Sequence, residues 1–123
     1  MYDKEVAKEI VSQMLTAVAR VQRRAAGITS ANDFVTSEEG IDKFDAIAMM
    51  LIALGESCKN LDKVTSGQLL PNYPQVDWKG VMGLRDIMSH HYFDANAEAI
   101  FTVCKKHIPA MKPVLETILK ELP

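Results

Sequence analysis

The chain has 123 residues and a formal net charge of −2 at pH 7, with 48% hydrophobic and 24% charged residues. This is the composition of an ordinary globular protein, and we expect a single domain with its own core over residues 1–123. No run of about 18 apolar residues is present, so no membrane span is indicated. The negative charge means that nucleic-acid binding would need a local basic cleft.

The N-terminus and the cysteines favour a cytoplasmic protein. Residues Met1–Glu5 are polar and acidic, unlike the basic and then apolar start of a secretory signal. The two cysteines, Cys58 and Cys104, each lie inside an apolar helical pattern. We interpret them as buried, reduced thiols rather than as a disulfide.

The first half of the chain predicts two helices. Apolar residues at steps of four, four, four and three predict a helix over about residues 4–24, ended by Gly27: Val6, Ile10, Met14, Val18 and Val21. Residues 28–37 form a connection whose Phe34 we expect to enter the core. Thr36 and Glu39 have the spacing of a capping box, which predicts a second helix from there to about residue 60. Its apolar stripe is Ile41, Phe44, Ala48, Leu51 and Ile52.

Glycine and proline shape the second half. Gly55 lies late in the second helix, where glycine costs about 1 kcal/mol, so we expect a close helix approach at this position. Residues 61–76 read as a long loop, and Asp77 as the N-cap of a third helix over residues 78–90. Asp94 or Asn96 starts a fourth helix, and Pro109 suits the first turn of a last one. The sum is an all-α, up-and-down bundle of four to five helices.

The stretch from Arg85 to Tyr92, with the sequence RDIMSHHY, concentrates the residues that could carry chemistry. Arginine offers a planar fork for phosphate oxygens, and histidine titrates near neutrality and can move a proton. Asp86 lies four residues before His90, so an α-helix places both on one face, whereas Arg85 and His90 are about 140° apart. With RNA, whose 2′-OH is a built-in nucleophile, such a set suits metal-free cleavage. The plainer interpretation is a surface Arg–Asp pair with a histidine at a helix C-terminus.

Other kinds of site are weaker candidates. His90, His91 and His107 lack the spacing of a metal site, and no H-x3-H or H-E-x-x-H motif is present. Residues 80–83 contain two glycines but lack the lysine and the preceding strand of a phosphate-binding loop. We therefore expect neither a metal nor a cofactor.

The same stretch fits the R-x4-H-x-Y motif, and most of the chain resembles the HepT-like proteins of the HEPN superfamily (higher eukaryotes and prokaryotes nucleotide-binding). The flanking residues also match: Tyr73, Pro74, Trp78, Lys79, Gly80, Gly83 and Leu84 before the motif, Ile52, Ala53, Gly55 and Glu56 in the second helix, and Phe93, Ile108 and Pro109 after it.

The resemblance implies a function and assigns roles to the motif residues. HepT-like proteins are helical homodimers in which two motifs meet at a composite cleft, and they act as metal-independent ribonuclease toxins. Arg85 and His90 map onto the catalytic pair, and Asp86 onto the polar residue that supports it. The usual antitoxin is an MNT-type nucleotidyltransferase that adenylylates the motif tyrosine, here Tyr92. His91 departs from the glycine or acidic residue common there, and we interpret it as an exposed cap.

The resemblance therefore implies the toxin of a toxin–antitoxin system, either type II or neutralised by a nucleotidyltransferase. This toxin would be an endoribonuclease that cleaves RNA by attack of the 2′-OH on the adjacent phosphate. Asp86 replaces the asparagine of many members, which adds negative charge beside the proposed phosphate site. The alternative is a non-catalytic HEPN dimer that binds a nucleotidyltransferase and offers the motif only for docking or modification.

Overall fold

The computed structural model describes residues 2–122, and every regular element in this range is helical. Residues 2–122 contain five α-helices: α1 (Lys4–Ala25), α2 (Glu38–Val64), α3 (Trp78–His90), α4 (Ala97–Thr102) and α5 (Ile108–Glu121). This confirms the predicted all-α bundle. Met1 and Pro123, which belong to the predicted domain, lie outside the described residues. No helix within residues 2–122 has the length and apolar character needed to cross a membrane.

Helix α2 is the centre of the bundle because it packs along α1 on one side and along α3 on the other, while α5 covers α1. Its fully buried residues recur at helical spacing: Ile47, Leu51, Leu54, Cys58 and Leu61. Ala48 and Leu51 of the predicted stripe are buried, but Ile41 is 42% exposed. The buried side of α2 is therefore rotated away from Ile41, which lies on an uncovered surface.

Both ends of α2 differ from the prediction. The N-cap is Ser37 rather than Thr36, since the Ser37 hydroxyl accepts a hydrogen bond from the Gly40 amide at 3.0 Å. The helix continues to Val64, four residues beyond the predicted end. Gly67 then adopts a φ of 69°, a left-handed conformation that follows the end of many helices. The predicted loop is correspondingly shorter and contains a 3₁₀ turn, Leu70–Asn72.

The second half of the chain follows the prediction closely. Asp77 caps α3 by accepting a hydrogen bond from the Gly80 amide at 3.1 Å, and the bounds of α3 are those expected. Asn96 caps α4. A π-helical turn, Val103–His107, joins α4 to α5, and Pro109 lies in the first turn of α5.

Phe34 and the two cysteines are buried, in agreement with the interpretation of the cysteines as reduced thiols in the core. Phe34 is 1% exposed and enters the core, as predicted. Cys58 and Cys104 are free and buried. Burial raises the pKa of the Cys58 thiol to about 12 and that of Cys104 to about 11, so both are protonated at neutral pH.

Candidate active site

Gly55 allows α3 to approach α2 closely where the motif begins. A Cβ atom at Gly55 would lie 2.8 Å from the Arg85 amide nitrogen and 3.0 Å from the Val81 carbonyl oxygen. Both distances are shorter than packed side chains tolerate, so only glycine fits here without a backbone shift. The expected close helix approach is confirmed, and it sets the position of the Arg85 backbone.

The guanidinium of Arg85 lies between two carboxylates. Its Nε atom is 3.3 Å from Glu56 Oε1 on α2, and its Nη1 atom is 3.6 Å from Asp86 Oδ1 on α3. The Arg85 side chain keeps 40% of its surface exposed, so a phosphate can reach it from solvent. Glu56 therefore joins the motif from another helix and orients the guanidinium.

His90 is the last residue of α3 and is exposed, and His91 follows as the C-cap. The His91 amide donates a hydrogen bond to the Ile87 carbonyl at 2.9 Å, which agrees with the interpretation of His91 as an exposed cap. Since five helical residues turn about 140°, Arg85 and His90 leave α3 in different directions. A single chain does not bring these two side chains onto one face.

Asp86 pairs with Arg85 in this chain. Within residues 2–122 its carboxylate makes neither a hydrogen bond nor an ion pair with His90, although the two share a helix face. The support of His90 by Asp86 stays a prediction. The described part of the chain holds no group of three histidine, cysteine or acidic side chains suited to a metal ion.

Tyr92, the last motif residue, is tied to α2. Its hydroxyl donates a hydrogen bond to Asp45 Oδ1, and this bond, with burial and the charge of Asp45, raises the pKa of Tyr92. The ring packs edge-on against Phe44 and Phe93, with ring centroids 5.7 and 5.1 Å apart. The sequence analysis did not predict the role of Asp45. The signal that could have pointed to it is an aspartate placed among the apolar residues on one side of a helix.

An apolar surface borders the motif. An open depression of about 450 Å³ lies between α2 and the end of α3, lined by Asp45, Ala48, Met49, Ile52, Met88, Tyr92 and Phe93. Phe93 is 97% exposed and Met49 is 59% exposed. We call this surface, together with the exposed Ile41 one turn before Asp45, the apolar face. Its exposed apolar side chains and its contact with Tyr92 make it a candidate interface beside the motif.

Comparisons with known proteins identify the family. The family model described as Ribonuclease HepT-like matches residues 14–118. The protein named "Putative RNase MJ0127" of Methanocaldococcus jannaschii is 36% identical over 77 residues, or 63% of this chain and 60% of that protein. The protein named "Putative RNase TTE0752" of Caldanaerobacter subterraneus subsp. tengcongensis is 32% identical over 76 residues, or 62% of this chain and 64% of that protein.

The matches thus span less than two thirds of the length of these curated relatives. No solved structure matches the chain at a comparable level. The family model, in contrast, extends from the middle of α1 almost to the end of α5. Because it covers most of the chain, the chain belongs to the HepT-like ribonuclease family.

Proposed function

We propose that this chain is a toxin endoribonuclease that cleaves RNA without a metal ion. The observation that carries the proposal is a solvent-accessible Arg85 guanidinium on the same helix as an exposed His90, within a chain of the HepT-like ribonuclease family. Arginine can bind both non-bridging oxygens of a phosphate, and histidine can exchange a proton at neutral pH. The relatives named as RNases support the same activity.

In the proposed reaction the 2′-oxygen attacks the adjacent phosphorus, and the bond from phosphorus to the 5′-oxygen breaks. One histidine takes the proton of the 2′-OH, and a second acid gives a proton to the leaving 5′-oxygen. Arg85 stabilises the negative charge that grows on the phosphate oxygens in the transition state. The products are a 2′,3′-cyclic phosphate and a 5′-hydroxyl end.

We propose that the working form is a homodimer with a composite cleft. Arg85 and His90 point away from each other on one helix, so a second copy must supply the missing group on each side. The apolar face, with Phe93 97% exposed, offers a surface beside the motif that such a copy would cover. A stable interface buries about 800 Å² per partner, which this face could provide only together with the adjoining surface of α3.

The proposed control of the toxin is adenylylation of Tyr92 by an MNT-type nucleotidyltransferase in the cytoplasm. The tyrosine oxygen attacks the α-phosphorus of ATP, a new O–P bond forms, and pyrophosphate leaves. Asp45 already accepts the hydrogen bond of this hydroxyl, so it can take the proton as the bond forms. The added phosphate would lie beside the Asp45 carboxylate, and their repulsion would push Tyr92 away from α2.

One observation favours the alternative of a non-catalytic dimer that binds a nucleotidyltransferase. Glu56 and Asp86 already flank Arg85, so an RNA phosphate must enter against two nearby negative charges. This alternative keeps the dimer and the modification of Tyr92 but removes the cleavage step. Direct assay of RNA cleavage therefore separates the two functions.

The chemistry of the products tests the proposed function. Wild-type protein in EDTA should leave 2′,3′-cyclic phosphate and 5′-hydroxyl ends, identified by mass spectrometry of the fragments. An RNA whose 2′-oxygens are methylated should resist cleavage because it has no nucleophile. Fragments with 5′-phosphate ends, or cleavage of the methylated RNA, would contradict the mechanism.

A further inference from the structure

A charged groove extends from Arg85 along the C-terminal half of α2. It has a volume of about 590 Å³ and is open to solvent, and its lining is Glu56, Ser57, Lys59, Asn60, Lys63 and Arg85. We call it the basic groove because it holds three cationic side chains and one carboxylate. Arg85 therefore belongs both to the motif and to a second surface that the motif does not define.

Helix geometry places the cations of the basic groove in one line. Lys63 follows Glu56 by seven residues, or nearly two turns, and so lies on the same side of α2 about 10 Å further along its axis. Lys59 lies between them. Since Glu56 contacts Arg85 at 3.3 Å, the line of positive charge runs from Arg85 to Lys59 and Lys63.

Within residues 2–122, neither Lys59 nor Lys63 forms an ion pair. Other lysines of the chain are already engaged: Lys8 with Glu5 at 3.7 Å, Lys43 with Glu39 at 3.3 Å, and Lys105 with the Ala25 carbonyl at 2.6 Å. Lys63 lies in the last turn of α2, where a cation is favoured by the helix dipole. The helix dipole does not account for Lys59, because Lys59 lies more than a turn before Lys63.

The N-terminal half of the same side of α2 is acidic and apolar rather than basic. Asp45 precedes Glu56 by eleven residues, or about three turns, and therefore faces the same way. Between them lie Met49 and Ile52 of the apolar face. On this side of α2, a polyanion is therefore disfavoured beside Asp45 and favoured beside Lys59 and Lys63.

We propose that the basic groove binds the backbone of single-stranded RNA, with Lys59 and Lys63 contacting phosphates that flank the one held by Arg85. This rests on the proposed ribonuclease function and adds the path of the strand, which leaves the site toward the C-terminal end of α2. A positive groove that follows the backbone is how proteins hold single strands without reading their sequence. The side-chain amide of Asn60 and the hydroxyl of Ser57 offer neutral hydrogen-bond partners along the same path.

The salt dependence of binding tests this proposal. The probe is a fluorescent RNA whose 2′-oxygens are all methylated, so that cleavage does not interfere, and the measurement is anisotropy at several salt concentrations. In the double variant Lys59→Gln/Lys63→Gln, the slope of log Kd against log salt should fall by about 1.4, or about 0.7 for each lost phosphate contact. Lys59→Arg/Lys63→Arg should keep the wild-type slope, as should the control Lys112→Gln/Lys120→Gln on α5.

The outcomes separate this proposal from the proposed function. An unchanged slope in Lys59→Gln/Lys63→Gln would overturn the proposed RNA binding by the basic groove, even if the wild type cleaves RNA. An equal fall of the slope in the α5 control would overturn it too. A wild type that binds no RNA would overturn it as well. A reduced slope in a protein that cleaves nothing would support the basic groove and reject the ribonuclease. Thermal unfolding monitored by circular dichroism checks that each variant is folded.

Discussion

Tyr92 shows how a single contact can control the chemistry of a motif residue. Its hydroxyl donates to the Asp45 carboxylate, which favours the neutral phenol and raises the pKa of Tyr92 above its ordinary value of 10.0. The Asp45→Ala variant should therefore titrate Tyr92 at lower pH than the wild type. Absorbance of the phenolate measures this, and subtraction of a Tyr92→Phe titration isolates Tyr92 from the other tyrosines. An unchanged titration in Asp45→Ala would contradict the hydrogen bond.

Residue types and spacing predicted part of the candidate site but not its partners. The motif identified Arg85, His90 and Tyr92, because the R-x4-H-x-Y spacing is a local property of one segment. It could not reveal that Glu56 contacts Arg85. Nor could it reveal that Tyr92 contacts Asp45, which lies 47 residues earlier in the chain. Those contacts depend on how α2 and α3 pack, which local spacing does not encode.

At the scale of elements, the contact of α2 with α3 at Gly55 fixes the place of Arg85. The variant Gly55→Ala should lower the free energy of unfolding by about 1–3 kcal/mol, because its Cβ would lie 2.8 Å from a backbone nitrogen. It should also reduce RNA cleavage, since relief of the clash moves the Arg85 backbone. Urea denaturation followed by circular dichroism measures the stability.

Gly83→Ala is the matched control on α3. A Cβ atom there meets nothing within 4 Å, and alanine is the better helix former, so stability should rise by up to about 1 kcal/mol. If Gly55→Ala were as stable as Gly83→Ala, the close approach at Gly55 would be wrong. The two glycines look alike in the sequence, and only the position of the neighbouring helix distinguishes them.

The helix ends show why local patterns predicted elements better than boundaries. Thr36 with Glu39 fits a capping box, but the helix starts one residue later because Ser37 caps it. The amide of Gly40 donates the capping hydrogen bond to Ser37. Gly40 is buried against the Asp33 backbone carbonyl, and a Cβ atom at Gly40 would lie only 1.8 Å from that oxygen. Packing of the preceding 3₁₀ turn, Ala31–Phe34, therefore selects between two caps that the sequence allows.

At the scale of the whole molecule, the apolar face predicts self-association. Phe93 is 97% exposed, so Phe93→Asp should leave the fold of one chain intact while it weakens a dimer and its RNA cleavage. Sedimentation velocity should show a shift from dimer to monomer. Val35→Asp is the control, because Val35 is 60% exposed on the connection between α1 and α2, outside the apolar face. A Phe93→Asp protein that remains a fully active dimer would place the interface elsewhere.

The fold class and the predicted helices were accessible from the sequence because apolar periodicity is strong in α1, α3 and α5. In one chain α3 ends at the exposed His90, which leaves the helix in a different direction from Arg85, so the proposed catalytic pair does not converge there. A sequence pattern places these residues on a helix but gives no second copy to complete them. The proposed composite cleft would form only when two copies assemble, so the pattern of one chain does not encode it.

A cleavage assay in EDTA shows whether this protein cuts RNA without a metal ion and whether the reaction depends on His90. The cleavage rate of a defined RNA is measured in EDTA for wild type, His90→Ala and His91→Ala, after intact mass has shown that Tyr92 is unmodified. Loss of a general acid or base should lower the rate of His90→Ala by about 10²- to 10⁴-fold, while His91→Ala stays near wild type. Equal activity of His90→Ala and wild type, or no cleavage by unmodified wild type, would contradict the account.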